Sequence, residues 1–236
     1  NGLVKDRSAS WSPCSIAATG FGLSAICIGI DHGWVSREAG RARVLAALNT
    51  FWNGPQGSDA YGVIGYQGFF YHFLDLTTAT RTWDCELSSI DTALLLAGVL
   101  DAKQYFDGAD PLDAEVRTLA DNIFQRVNWD FMRNGGYSLK MGWVPGTGFA
   151  TFPNWIGYNE AMILYLLALG SPTYPIPATC WNVWVSGYQW QNQYGYEYVV
   201  FPPLFGHQYS HCWVDFRYEQ DGYMSWRGIT YFENSR

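Results

Sequence analysis

Two kinds of hydrophobic pattern alternate along the chain. Residues 12–33, "SPCSIAATGFGLSAICIGIDHG", open on Ser12-Pro13, close on Gly33 and are apolar on almost every side, which predicts a helix packed on all its faces. Residues 36–52, "SREAGRARVLAALNTFW", place Val44, Leu45, Leu48 and Trp52 on one face behind an N-cap Ser36 and first-turn Glu38, which predicts a helix that faces water. The pair then repeats. "ELSSIDTALLLAGVLDAKQYF" is apolar all round at its centre, whereas "DPLDAEVRTLADNIFQRVNWDFM" carries Leu112, Val116, Leu119, Ile123 and Val127 on one stripe behind Asp110 and Pro111. A third wholly apolar helix is predicted in "NEAMILYLLALG", stopped by Gly170 and "SPTYPIP", and a further one in "ATCWNVWVSGYQWQ". Between these, "YGVIGYQGFFYHFLDLTTATRT" alternates as a hairpin does.

One layer of amphipathic helices has no use for this alternation. Two concentric rings do, with inner helices packed on both sides and outer helices on one. The expectation is an all-α fold, an (α/α)6 barrel with short β-hairpins in its loops, forming a single domain over residues 1–236. The chain stops on the helix-compatible "GITYFENSR" after about seven helical signals, fewer than a closed barrel needs, so the barrel is expected to be incomplete at that end.

Composition narrows the partners. Aromatic residues reach 18%, with 12 Trp and 16 Tyr, too many to serve a core alone, and their mixing with Gly, Asn and Gln suggests a cleft lined by stacking faces. The formal charge of −7, with no basic run, removes the counterion-release drive for nucleic-acid binding. No apolar stretch reaches a membrane span, and no leader pattern opens the chain. Cys14, Cys27, Cys85, Cys180 and Cys212 form no C-x-x-C pair and read as small buried fillers.

The candidate chemistry is carboxylate chemistry. Asp84, Glu86 and Asp91 stand around the start of one buried helix and Glu160 at the start of the next; in a double ring those ends gather at one mouth. Converging carboxylates suit glycosidic cleavage, one acid protonating the leaving oxygen while a second carboxylate activates water or attacks. Each acid could equally be stabilising a helix N-terminus. Trp155 and Tyr158 flank Glu160 and could present ring faces to a sugar. Farther on, "LFGHQYSHCWVDFR" sets His207 and His211 four apart, but Gln208 replaces the glutamate that a zinc-protease helix needs. His207, His211 and Asp215 share a helical face that could bind metal, yet the favoured reading is a polar face, with Arg217 nearby, that hydrogen-bonds sugar hydroxyls. No metal and no cofactor are expected.

Several strings together, "SIAATGFGLSA", "GYQGFFYHFLD", "ELSSIDTALLLAG", "GYNEAMILYLLALGSPTYP", "FGHQYSHCWVDFR" and "YFENSR", resemble the glucoamylase-like (glycoamylase) domain family. The likeness is to the bacterial endo-β-1,2-glucanases of glycoside hydrolase family 144. It implies an (α/α)6 barrel that hydrolyses β-1,2-glucan to sophorooligosaccharides by inversion, without a metal, in the periplasm or outside the cell. It places Glu160 as the essential acid and Glu86 as a second cleft carboxylate, and implies cleft-facing His207, His211, Asp215 and Arg217. Asp215, as the alternative to Glu86 for partner or stabiliser of Glu160, and Asp84 are further catalytic candidates, and Tyr66, His72, Asp91, Trp155, Tyr158 and Tyr209 are expected to touch glucan. The rival readings are a hydrolase of another glucan linkage and a non-catalytic glucan-binding fragment.

Overall fold

In the computed structural model, which describes residues 1–236, serine and aspartate side chains set the starts of the long helices. Ser15 closes a short strand, β1 (Cys14–Ser15), and its Oγ accepts the Ala18 N–H to start α1 (Ile16–Asp31). Ser36 does the same for α2 (Arg37–Asn53). Then come β2 (Gly65–Tyr66), β3 (Phe69–Tyr71), β4 (Phe73–Leu74) and β5 (Leu87–Ser88), the last ending on Ser88, which caps α3 (Ser89–Tyr105). Asp110 caps α4 (Pro111–Gln125), with Pro111 at its first position. The remainder is α5 (Trp129–Arg133), β6 (Gly142–Trp143), α6 (Met162–Leu169), α7 (Thr179–Val185), β7 (Trp190–Gln193), β8 (Tyr196–Val199), α8 (Gly222–Arg227) and α9 (Tyr231–Ser235).

The helices form two layers. α1 packs against α3 along its length, and α3 also meets α6. α2 and α4 pack on each other and against α1 and α3 from outside. Glycines allow the closest approach: a Cβ on Gly98 of α3 would lie 2.0 Å from the Gly20 carbonyl oxygen of α1, and one on Gly20 would lie 2.3 Å from that of Leu94. The outer pair is tied by charge, because Asp113 of α4, almost fully buried, accepts from Arg41 at 2.7 Å and from Arg37 at 2.9 Å.

The molecule is mostly helical, but its strands are more than hairpins in loops. β2, β3, β5 and β6 join, in that order, into one antiparallel sheet, with Phe70 opposite Ser88 and Leu87 opposite Trp143; β1 pairs with β4, and β7 with β8. Because β1 leads into α1 and β5 into α3, these ladders hold the N-terminal ends of both inner helices at one end of the molecule.

Other expectations are corrected in detail. α1 is not covered all round, since Ala25 and Ile28 are exposed. In α2 it is Phe51 that turns inward, while Trp52 lies under the Arg126 guanidinium at 5.1 Å. Leu112 of the α4 stripe is exposed and Asp113 takes the inward place. Cys14, Cys27, Cys85 and Cys180 are buried, but Cys212 is exposed.

The largest correction concerns residues 204–217. They form two 3-10 turns, Leu204–His207 and Ser210–Cys212, and no α-helix. The i, i+4 spacing therefore does not place His207, His211 and Asp215 on a common face.

Candidate active site

At the N-terminal ends of α3 and α6 lies a cleft of about 500 Å³. Its polar groups arrive from four directions. His72 sits between β3 and β4, its N–H donating to the Glu86 carbonyl at 2.9 Å and its own carbonyl accepting from Ile16 at 3.2 Å, so both inner helix starts anchor it. Glu86 immediately precedes β5, and Asp91 lies in the first turn of α3. Glu160 stands two residues before α6, after a turn in which Gly157 adopts φ +86° and a Cβ would lie 2.9 Å from the Gly187 carbonyl oxygen.

Three of these groups bind one another. The His72 Nδ1 and Glu86 Oε1 lie 2.8 Å apart, and the His72 Nε2 is 3.6 Å from Asp91 Oδ1. Ser88 Oγ, while accepting the Asp91 N–H, donates to Asp91 Oδ2 at 2.5 Å. Burial disfavours the charged imidazole, but the Glu86 hydrogen bond and the Asp91 charge outweigh it, and the His72 pKa is raised. Burial also acts on Glu86 in the neutral direction, yet the bond to His72 and its own backbone N–H hold its pKa low. Asp91 goes the other way: burial raises its pKa despite His72 and Ser88.

Glu160 is different. Burial raises its pKa, its own backbone N–H opposes this and the Asp91 charge adds to it. Glu160 lines the cleft, and its Oε2 is buried and makes no hydrogen bond. The cleft therefore holds a hydrogen-bonded His72–Glu86 pair shifted towards its charged forms and, beside it, two acids, Asp91 and Glu160, shifted towards keeping their protons.

His72, Glu86 and Asp91 also offer ligand atoms within 4.8 Å of one another. The 2.8 Å hydrogen bond engages His72 Nδ1 and Glu86 Oε1 with each other.

Of the residues singled out in the sequence, His72, Glu86, Asp91, Trp155, Glu160 and Tyr209 line this cleft. Trp155 is fixed there by its indole N–H, which donates to Ser89 Oγ at 3.0 Å, and by its carbonyl, which accepts from Tyr165 at 2.8 Å. The others lie elsewhere. Tyr66 packs on Phe131 and Trp143, and Tyr158 is buried among Trp184, Tyr188 and His207. Asp84 is exposed, with its carbonyl accepting from Arg81.

The expected polar block is also dispersed. The buried His207 ring meets the Phe201 carbonyl oxygen at 2.9 Å, and His211 packs against Phe216. Asp215 and Arg217 are exposed and bind each other at 2.6 Å. What this segment does bring to the cleft is apolar, Phe205 and Tyr209, while Ser210 Oγ accepts the Ile163 N–H of the α6 first turn at 3.0 Å.

Sequence reasoning missed Ser88, Phe152, Pro153 and Phe205. Ser88 caps α3 and donates to Asp91, and neither role was read from the apolar pattern around it. Phe152 and Pro153 sit in the same "FPNW" string as Trp155 and carry no separate signal.

Known proteins resemble this chain in sequence and fold. Residues 153–236 match the family described as "Glycoamylase: Putative glucoamylase". The chain is 28% identical over 222 residues to the exo β-1,2-glucooligosaccharide sophorohydrolase (non-reducing end) of Parabacteroides distasonis, covering 91% of this chain and 27% of that protein. A crystal structure named as a putative glucoamylase from Bacteroides uniformis superposes with a TM-score of 0.85 at 28% identity, over 94% of this chain and 56% of that one. The endo-β-1,2-glucanase of Chitinophaga pinensis, solved with sophorotriose and glucose, gives a TM-score of 0.76 at 25% identity, over 87% of this chain and 52% of that one. The resemblance to glucoamylase-like domains of the β-1,2-glucanase type is thereby shown, with the chain spanning from about a quarter to little more than half of these proteins.

Proposed function

We propose that this chain carries the acid-catalytic cleft of a glycoside hydrolase that cleaves β-1,2-glucan to sophorooligosaccharides. The observation that supports this best is Glu160, whose buried Oε2 lacks a partner, lining the same cleft as the hydrogen-bonded His72–Glu86 pair. Glu160 donates its proton to the glycosidic oxygen as the bond to the leaving sugar breaks. Glu86, kept ionised by His72 and reachable by solvent at 28% side-chain exposure, takes a proton from the water that attacks the anomeric carbon. That division of labour is an inverting one. Burial, with a smaller contribution from Asp91, shifts Glu160 towards its protonated form, and Trp155 and Tyr209 give the sugar apolar faces to rest on.

In this reading residues 1–236 are a single unit of an (α/α)6 barrel, with α1, α3 and α6 in the inner ring and α2 and α4 in the outer. A polymeric glucan is met outside the cytoplasm, so the periplasm or the exterior is the proposed location; no helix is long and apolar enough to cross a membrane. The decisive experiment is product analysis with linear β-1,2-glucan, using starch and laminarin as controls. Short β-1,2-linked products, formed first as the inverted anomer by NMR, are expected. Products from starch or laminarin alone would overturn the linkage, and retained configuration would overturn the assignment of Glu86 as base.

A further inference from the structure

The aromatic rings do not stop at the cleft. His72 stacks on Phe73 with ring centres 3.9 Å apart and planes within 13°; Phe73 lies 5.2 Å from Trp83, and Trp83 lies 6.0 Å from Trp11. Exposure rises along this row, from 29% for the His72 side chain to 53% for Trp83 and 64% for Trp11. Single exposed rings are ordinary, but a contiguous row leading out of a cleft is the kind of apolar patch that marks a binding surface.

The backbone holds Trp83 outward at a cost. Trp83 and Asp84 adopt φ of +58° and +49°, the left-handed region that residues with side chains rarely enter. Arg81 clamps that turn, donating to the carbonyls of Asp84 and Cys85 at 2.7 Å and of Ala60 at 3.0 Å. Beside Trp11, the Arg7 guanidinium sits 5.6 Å from the ring centre and is paired with Asp6, so polar groups border the exposed indoles.

We propose that Trp83 and Trp11 form an outer sugar-binding platform, on which glucosyl units of the chain held in the cleft stack as it leaves past His72 and Phe73. A pyranose ring has an apolar C–H face suited to the electron-rich face of an indole, while its hydroxyls reach the charged groups at the border. The proposal rests on the cleft being a glucan-cleaving site and adds the side on which the polymer exits.

The test is binding, kept apart from turnover. In a Glu160→Gln background, calorimetric titration with long linear β-1,2-glucan and with sophorose compares Trp83→Ala, Trp11→Ala and, as control, Trp34→Ala at the far end of α1. Trp83→Ala is expected to weaken the long glucan about five- to tenfold, Trp11→Ala about threefold, and Trp34→Ala not at all, with sophorose unchanged throughout. Equal weakening of both ligands, or none, overturns the platform. A lowered melting temperature with unchanged long-glucan affinity would make the indoles a clamp on the N-terminal segment, and Trp83→Leu supplies the same comparison if the alanine variant does not fold. Turnover with Trp83-independent binding sinks the platform alone; Trp83-dependent binding without turnover sinks the cleavage reading alone.

Discussion

His72 is tied by backbone hydrogen bonds to Glu86 and Ile16, and its ring lies between two carboxylates. His207 and His211 have no acid beside them; one ring meets a carbonyl and the other a phenylalanine, while the nearest aspartate, Asp215, is taken by Arg217 at the surface. Both regions gather histidines and carboxylates, yet only the first builds a polar cleft wall. The difference lies in what supports the side chains. Residues 72, 86 and 91 stand where short strands feed long helices, so ladder bonds and helix caps fix their backbone. His207 and His211 lie on two short 3-10 turns and Asp215 and Arg217 on the irregular chain beyond them, so no single helix face lines them up. That segment serves the site indirectly, through Ser210 on α6, the Trp213 indole N–H on Ser24 at 2.9 Å, and the rings of Phe205 and Tyr209.

The largest effect should come from Glu160, the cleft acid with a raised pKa and an unpartnered carboxyl oxygen. Glu160→Gln removes the proton donor at nearly constant shape, and turnover of β-1,2-glucan should fall by about 10²- to 10⁴-fold with affinity retained. Wild-type rates in this variant would take Glu160 out of the mechanism and leave the two regions chemically equal. Steady-state kinetics beside a binding titration separates these outcomes.

The supporting framework can be loosened without touching chemistry. Gly98→Ala forces a Cβ to within 2.0 Å of the Gly20 carbonyl oxygen, so α1 and α3 must separate. Overpacking of this kind costs about 1–3 kcal/mol and should lower the melting temperature accordingly. If helix spacing carries His72 and Asp91 into register, turnover falls as well; a stable variant with full activity would show that the strand ladders suffice.

His72→Gln addresses the pair itself. Glu86 has a lowered pKa, so activity should fall as pH drops through that value; Glu160 has a raised one, so activity should fall as pH climbs through it. Removing His72 withdraws the bond that holds Glu86 low, so the acid limb should move up while the alkaline limb, set by the burial of Glu160, stays. Turnover at neutral pH should drop on the order of tenfold through misplacement of Glu86. Stability follows the same groups. The raised His72 contributes fully below its unfolded pKa and loses this as pH rises through the folded value; Glu86 contributes above its unfolded pKa and loses this as pH falls through the lowered one. The melting temperature of the variant should therefore depend less on pH between those limits.

What the sequence disclosed follows the range of each signal. Helices with a long apolar pattern, such as α3, or with a local cap as well, such as α4 behind Asp110-Pro111, were legible because these causes lie close together in the chain. Two-residue strands and the five-residue α5 are too short for any period to show. The His72–Glu86 pair joins residues 14 apart that flank different strands, and the β3–β5 register brings them together. Glu160 was legible as an acid at the head of a buried helix; that its Oε2 lacks a partner depends on the fold around it. The 207–215 spacing misled because periodicity assumes an α-helix, and Pro202-Pro203 with Gly206 opens the segment in a tighter turn.

The smallest effect is expected where the sequence looked most suggestive. Asp215 is exposed, and the Arg217 hydrogen bonds, from side chain first and backbone next, hold its pKa down at about 2, so it stays ionised at any working pH and has no proton to give. Its partner is equally exposed, and pairs of this kind exchange one set of solvated contacts for another. Asp215→Asn should change kcat and KM for β-1,2-glucan by less than about twofold, with an unaltered pH profile. His211→Gln tests the same region from inside. That ring titrates lower than usual because of burial first and His207 next, so its neutral form is the one packed on Phe216. A neutral glutamine should therefore lower the melting temperature modestly and leave both limbs of the pH profile in place. If either substitution instead abolished turnover at unchanged stability, residues 207–217 would have to swing into the cleft when glucan binds, and the contrast with the His72–Glu86 wall would hold only for the unliganded protein.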